Sequence, residues 1–205
     1  MRQLLDNSAV LVKLQFIADI APLFTEFLEL FQRRGPMVHV LHMALCDLMT
    51  KLMLRFLKTD VLSKKTGDQL CEIEVDNVQN MRNLEEMEIC EATKNAMSTN
   101  IKKEKHKAML MEMRSFFLSS VKHLQTKLPL RNQILKALEC LKPSARLSAE
   151  SETEITRLAK AVPHVVSAVE ISSVCDEWKL YALDDITLQH DTNAVYSTGE
   201  VHLEN

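Results

Sequence analysis

Glycine, proline and aromatic residues are scarce in this sequence. Among 205 residues there are 3 glycines, 5 prolines, 1 tryptophan, 2 tyrosines and 7 phenylalanines. Because tight hairpin turns and phosphate-binding loops depend on glycine, this scarcity points away from all-β folds and from dinucleotide-binding sheets. Few aromatic rings leave little on which nucleic-acid bases could stack. The hydrophobic content of 46%, with 11 methionines, is nevertheless ample for a sizeable core.

A strong positive charge and a secretory signal are also lacking. The formal net charge is −3, which argues against a broadly basic nucleic-acid surface but leaves a local patch open. The N-terminal stretch has no apolar run ending in small residues, so we predict that the protein is not secreted. The odd number of cysteines, without any CxxC pair, predicts reduced thiols in an intracellular protein of the nucleus or cytoplasm. These cysteines are Cys46, Cys71, Cys90, Cys140 and Cys175.

The stretch from Pro36 to Lys58 is the most apolar part of the chain. Apolar residues recur there at spacings of three and four, which is the period of a helix. They cover more of the circumference than an ordinary amphipathic stripe, so we predict a buried helix. Polar residues, Cys46 among them, follow one narrow line that we expect to be exposed. Asp47, Lys51 and Arg55 inside the run argue against a transmembrane helix, and no transmembrane segment is predicted.

Helical periodicity recurs along the rest of the chain and predicts an all-α fold, an irregular multi-helix bundle. Ser8 is the predicted N-cap of a helix that ends at Arg33 or Arg34, with Pro22 kinking or dividing it. A short isolated strand near residues 70–75 is left open by a partial alternation of apolar and acidic residues. Residues 1–186 are predicted to form a single helical domain, followed by a disordered tail over residues 187–205.

Two groups of residues have spacings that resemble metal sites. His39, His42 and Cys46 lie along one line of the predicted helix, but no fourth ligand and no HExxH motif accompany them. The acidic residues around Trp178 lie at a predicted helix end, where a solvated acidic face is the simpler interpretation. They are Asp176, Glu177, Asp184 and Asp185. We therefore assign no metal, catalytic or cofactor-binding residue and no small-molecule substrate.

A short basic cluster is the candidate for nucleic-acid contact. Four lysines within six residues could neutralise a few phosphates, although Glu104 interrupts them and no aromatic residue lies among them. A solvated helix start is the alternative interpretation. The four are Lys102, Lys103, Lys105 and Lys107.

Several blocks of the chain, taken in order, carry a likeness to a known family. The first block is FTEFLELFQRRGPMVHVLHMALCDLMTKLMLRFLKTDVL, over residues 24–62. It is followed by EIEVDN, EMEICEATKNAM, RSFFLSSVKHLQTKLPLRNQILKALECLKP, LAKAVPHV and DEWKLY. Together these blocks resemble the hAT superfamily of DNA transposases and the host genes that descend from them. The resemblance covers roughly Val12 to Ile186, and no single block is a catalytic signature.

The resemblance implies an RNase-H-like enzyme whose core is interrupted by a large helical insertion, and this chain looks like that insertion. The family's catalytic Asp, Asp and Glu, which hold two divalent metals, are expected before residue 1 and after the DEWKLY block. The tail departs from the family pattern, and the family's zinc finger has no counterpart here. No family catalytic or metal residue can therefore be placed on this sequence.

The expected function follows from the missing catalytic part. We expect a catalytically inactive, transposase-derived helical domain that contributes DNA or protein contacts, and we do not expect an enzyme. The alternative is a helical protein-interaction or oligomerisation module without a role in nucleic-acid binding. The expected partners are accordingly DNA, a second copy of the chain or another protein, and not a membrane.

Overall fold

The computed structural model describes residues 8–32 and 37–184, and these residues form an all-α protein. The described α-helices are α1 (Ser8–Phe31), α2 (Val38–Leu54), α3 (Thr59–Leu62), α4 (Asp68–Cys71), α5 (Glu91–Asn100), α6 (Lys103–Lys127), α7 (Gln133–Ala137), α8 (Ser151–Ala161) and α9 (Ile171–Leu183). Short 3-10 turns lie at Val78–Asn80, Leu84–Glu86, Leu138–Leu141 and Pro143–Ala145. The predicted fold class is confirmed.

The described chain divides into two compact units. The first contains residues 8–32, 37 and 41–131, and the second contains residues 38–40 and 132–184. The single helical domain expected over residues 1–186 stays a prediction. The tail expected at residues 187–205 lies outside the described residues.

Four phenylalanines form the aromatic centre of the first unit. The ring of Phe16 on α1 meets Phe116 and Phe117 of α6 edge to face, at centroid distances of 5.5 and 5.3 Å. Phe56, just after α2, stacks on Phe117 at 6.2 Å. Because edge-to-face and stacked rings interact favourably beyond the area they bury, these contacts tie α1, α2 and α6 together.

Helix α2 is the buried helix that its apolar circumference predicts. Leu45 is 3% exposed, and Met49, Leu52 and Met53 are fully buried. The prediction for Cys46 is wrong. The sequence analysis expects it on the exposed polar line of the helix, but it is buried, at 8% exposure. Its environment, described below, explains the difference.

The short strand considered for residues 70–75 does not form in the described structure. Leu70, Ile73 and Val75 are buried as the alternation suggests, but Leu70 belongs to a helical turn and the other two to the irregular segment and turn that follow it. The carbonyls of Leu70 and Ile73 accept hydrogen bonds from the Gln125 side chain of α6, at 3.0 and 3.1 Å. A side chain of α6 thus supplies the donor that a neighbouring strand would have offered.

Helix α1 runs unbroken from Ser8 to Phe31 with Pro22 inside it, so the proline does not divide the helix. It packs along α5. The side chain of Asp19 accepts hydrogen bonds from the backbone N–H of Thr93, at 3.1 Å, and from its hydroxyl, at 2.6 Å. Thr93 is fully buried in the first turn of α5, so Asp19 caps that helix from a distant part of the chain.

The second unit has its own small hydrophobic cluster. Ala137, Cys140, Ile155 and Leu158 are buried together, with partly buried side chains packed against them. Those side chains are Leu138, Val174 and Trp178. Helices α8 and α9 pack against each other, and α7 packs on α8. The cluster is what joins these three short helices into one body.

Candidate interaction surfaces

The four candidate lysines surround the start of α6. All four are exposed, and none of them makes an ion pair within residues 8–32 and 37–184. Lys103 and Lys107 are four residues apart and share one face of the helix, whereas Lys105 lies about 200° around the axis from Lys103. The positive end of the α6 dipole adds to their charge. The cluster therefore surrounds a helix tip and does not line a groove.

His106, within the same cluster, is turned towards the protein. Its Nε2 lies 2.9 Å from the carbonyl oxygen of Ile101, which can only accept, so Nε2 donates. The imidazole thus satisfies a backbone group at the start of α6 and is held partly buried. It does not extend the row of exposed cations.

His42 and Cys46 hold the loop that precedes α4. The Nε2 of buried His42 donates to the carbonyl of Leu130 at 3.2 Å, and the N–H of Gly67 donates to Cys46 Sγ at 3.3 Å. Gly67 has a φ of +55° and lies against the imidazole, where a Cβ would sit 3.3 Å from His42 Nε2. These contacts give the two side chains a structural role. No group of three metal-ligating side chains occurs in the part of the chain that the structure describes.

The acidic residues near Trp178 are dispersed in the second unit. The carboxylate of Asp176 lies 3.5 Å from Lys179 Nζ, and Glu177 is exposed. Asp184 contributes its backbone carbonyl, which accepts from the buried guanidinium of Arg146 at 3.0 Å. Asp185 lies outside the described residues. The described carboxylates do not converge on one point.

A depression of about 580 Å³ along α6, lined by Ser115, Ser119 and His123 among others, is shallow and wide open to solvent. Two further cavities within single units are small. A largely apolar groove of about 250 Å³ lies between α1 and α6 and is floored by Phe16, Met113 and Phe116. A polar recess of about 170 Å³ in the second unit contains Lys142, whose Nζ is 3.9 Å from Glu139. Ligand pockets usually measure about 300–1,000 Å³, so neither of these two cavities suits a sizeable small molecule.

Cys140, in the second unit, is not suited to nucleophilic chemistry. Burial raises the pKa of its thiol to about 11, which makes it a poor nucleophile.

The most unusual surface of the first unit is the outer face of α1. Opposite the buried side chains, six exposed residues recur at alternating spacings of three and four. Leu11, Leu14 and Leu28 are 42%, 55% and 54% exposed. We call this face the α1 strip; its members are Leu11, Leu14, Ala18, Ala21, Thr25 and Leu28.

The α1 strip carries no charge and no unsatisfied polar side chain. Its one polar member, Thr25, places its hydroxyl 3.3 Å from the carbonyl of Ala21 and 3.2 Å from that of Pro22. The threonine thus hydrogen-bonds back into its own helix and leaves its methyl group available for apolar contact. Ile17, 46% exposed, widens the apolar surface along one edge.

The sequence interpretation missed the α1 strip because α1 is apolar around most of its circumference. Of the apolar residues of α1, only Val12, Phe16, Ile20 and Leu30 are buried, and the sequence alone does not single them out. The strict spacing of three and four over the strip was the available signal, since that period is typical of a helix-pairing seam.

Helix α1 is also the described helix that is long and apolar enough to cross a membrane, and 17% of its most apolar window is buried. A core helix of a water-soluble protein and a leader sequence near an N-terminus meet the same criteria. The predicted absence of a transmembrane segment and the predicted intracellular location stay predictions.

Comparison of the chain with protein-family models, with curated proteins and with solved structures gives no match.

Proposed function

We propose that this chain is a non-catalytic helical domain of hAT-like transposase descent that works by contact, and that its principal contact is with a second copy of itself. The ordered blocks described above support the descent. The α1 strip supports self-association and is the single observation that carries it. This function corresponds to the oligomerisation module expected from the sequence, with α1 as its contact surface.

An exposed apolar face of this kind is costly to leave in water. Burying apolar surface is worth about 25 cal/mol per Å², and contiguous exposed apolar patches on folded proteins commonly mark interaction sites. Leu14 and Leu28 are more than half exposed although α1 is anchored to the unit by Phe16 and Asp19. The strip is therefore held in place on a packed helix, ready for a partner.

A second helix of the same kind is the partner that the spacing favours. A seam whose residues recur every three and four positions packs against a helix with the same repeat, because each side chain fits into a space between side chains of the other helix. Because every copy of the chain presents such a seam, the protein itself supplies the matching surface.

Sedimentation velocity over a range of concentrations tests this function. We expect the weight-average sedimentation coefficient of the full chain to rise with concentration, because the association is reversible. Leu14→Lys should hold the chain as a monomer, since it places a charge in the seam. Met111→Lys, at a 50% exposed apolar position of α6, is the matched control and should associate like the unmodified chain. A chain that is monomeric at every concentration would refute the proposal.

The second candidate function is contact with the DNA backbone through the lysine cluster. The observation that favours it is that Lys102, Lys103, Lys105 and Lys107 are exposed and lack ion-pair partners among the described residues. Exposed lysines free of carboxylates can neutralise phosphates and release counterions, which makes binding fall with salt.

Duplex binding at several salt concentrations tests the second candidate. Replacing the four lysines by glutamine should weaken binding regardless of DNA sequence and reduce the slope of log affinity against log salt by up to about 4. Exchanging the exposed Lys64 and Lys65 for glutamine is the control and should change little. Equal binding and an equal slope in the four-lysine variant would exclude this cluster.

A further inference from the structure

We propose that the α1 strips of two copies pair in antiparallel orientation, with a two-fold axis that passes between Ala18 and Ala21. This inference rests on the proposed self-association and specifies its geometry. It follows from the order of large and small residues along the strip, from the charges of α1 and from its internal hydrogen bonds.

The strip is self-complementary when two copies run antiparallel. A two-fold axis between Ala18 and Ala21 sets Ala18 against Ala21 of the second copy, and Leu11 against Leu28 of the second copy. Leu14 then meets Thr25 of the second copy, whose hydroxyl is already satisfied within its own helix. Small residues meet at the centre, where the helices can approach closely, and leucines close both ends. An isologous contact requires this reciprocity.

The charges of α1 favour the same orientation. Lys13 lies in the N-terminal half of the helix, whereas Glu26 and Glu29 lie in the C-terminal half, and all three are exposed. Antiparallel pairing brings each lysine towards the acidic half of the other helix and opposes the two helix dipoles. Parallel pairing would set acidic halves side by side. Within its own chain, Lys13 forms an ion pair with Glu112, and Glu26 forms one with Lys51. Across the axis these two charges therefore favour one orientation of the pair more than they add to its affinity.

The size of the seam sets the expected affinity. From Leu11 to Leu28 the helix rises about 25 Å, at about 1.5 Å per residue. Such a seam buries less than the roughly 800 Å² per partner of a standard interface. We therefore expect a reversible dimer with a dissociation constant on the order of 10 to 100 µM, and measurements should extend above that range.

The contacts of α1 with its own unit favour a second copy over a lipid surface. The carboxylate of Asp19 lies in the middle of the helix and bonds to Thr93, while Val12, Phe16 and Ile20 pack into the core. Insertion of α1 across a bilayer would detach these groups and place the carboxylate in hydrocarbon. A paired α1 keeps every one of these contacts.

Two variants that introduce opposite charges at the centre of the seam test the orientation. Ala18→Lys and Ala21→Glu each place an unpaired charge at the axis, and each should weaken self-association at least tenfold. In the antiparallel arrangement an equimolar mixture sets the new lysine of one chain against the new glutamate of the other, so the mixture should regain dimer. In a parallel pair each new charge would face an alanine of the other chain, so mixing should leave both charges unpaired and restore much less dimer. Ala108→Lys, at an exposed alanine of α6, is the control and should dimerise normally.

The possible outcomes separate this inference from the function on which it rests. Concentration-dependent dimer in the unmodified chain, lost in both variants and regained on mixing, supports the antiparallel pair. Dimer in the unmodified chain without recovery on mixing overturns the orientation and leaves self-association standing. A monomeric unmodified chain overturns both. Binding of the unmodified chain to neutral phosphatidylcholine vesicles, abolished by Leu14→Lys, would place a lipid surface on the strip and would also overturn the inference. Circular dichroism of each variant verifies that the monomer remains folded.

Discussion

Asp19 of α1 accepts two hydrogen bonds from Thr93, one from the backbone N–H and one from the hydroxyl, and so caps α5 across 74 residues of sequence. Its other carboxylate oxygen accepts from Gln15 Nε2 at 2.8 Å. A helix N-terminus leaves its first N–H groups unpaired, and here a neighbouring helix supplies the acceptor that α5 lacks locally. The bond therefore fixes the register of α1 on α5.

We predict that Asp19→Ala lowers the free energy of unfolding by about 2 kcal/mol, because it leaves buried donors of Thr93 unpaired. Urea unfolding monitored by circular dichroism measures the shift in midpoint. Glu29→Ala, on the same helix with an exposed side chain, is the control and should shift the midpoint little. Equal midpoints for the two variants would show that the cap contributes nothing.

Phe117 is in ring contact with the three other phenylalanines of the aromatic centre, and it is 1% exposed. Replacing it by alanine should cost about 3–5 kcal/mol, because the cavity lies between three helices that cannot all close in. Phe116→Ala should cost clearly less, since that neighbouring ring is only partly buried. Thermal melting of both variants gives the comparison, and a smaller loss at Phe117 than at Phe116 would contradict the packing described.

Gly67 occupies a backbone conformation that a residue with a side chain adopts only under strain. Gly67→Ala should destabilise the protein by about 1–3 kcal/mol, through that strain and through the approach of the new methyl group to His42. Lys64 also has a positive φ, of 60°, so Lys64→Gly should be close to neutral, as relief of strain offsets the added freedom of the unfolded chain. Chemical unfolding compares the two, and a neutral Gly67→Ala variant would count against the geometry of this loop.

The pKa of Asp76 lies below its ordinary value of 3.8, because Lys122 Nζ donates a hydrogen bond to it at 2.7 Å and a backbone N–H adds another. Since the pKa is lower in the folded state, the pair stabilises the protein above the unfolded pKa, and this contribution is lost as pH falls through the folded pKa. Lys122→Gln should raise the pKa of Asp76 towards 3.8. Carbon-detected NMR titration of the carboxyl measures it, with Lys127→Gln on the same helix as control; an unmoved pKa would show that the ion pair does not persist in solution.

The helical period of the apolar residues predicts the helices, but it does not predict which distant residues pack against them. The helix over Ser8–Phe31 and the burial of Leu45 follow from the helical repeat, and the structure confirms both. The N-cap at Ser8 stays a prediction, because the residues before Ser8 lie outside the described part of the chain. The burial of His42 does not follow from such signals, because the carbonyl of Leu130 that it meets lies 88 residues away. Which side of an apolar helix faces the core is likewise decided by distant partners.

The same limit explains the candidate sites. The lysine cluster can be identified from the sequence alone, because a run of charges is visible without tertiary information. Its exposure is compatible both with a solvated helix start and with contact to phosphates. The α1 strip can be identified only from the structure, because Leu14 and Ile20 are equally apolar in the sequence. Only the contacts of Asp19 and Phe16 show that one faces outward and the other inward.

The position of Trp178 gives the second unit an optical label of its own. It is the only tryptophan of the chain, and it packs against the cluster around Cys140 and Leu158. Indole emission therefore responds to the small helical body formed by α7, α8 and α9, whereas far-ultraviolet ellipticity is dominated by the longer helices α1, α2 and α6. Recording both signals on one denaturation series makes the cooperativity of the whole chain visible without any added probe: coincident transitions mean that the two units unfold together, and separated transitions give each unit a stability of its own.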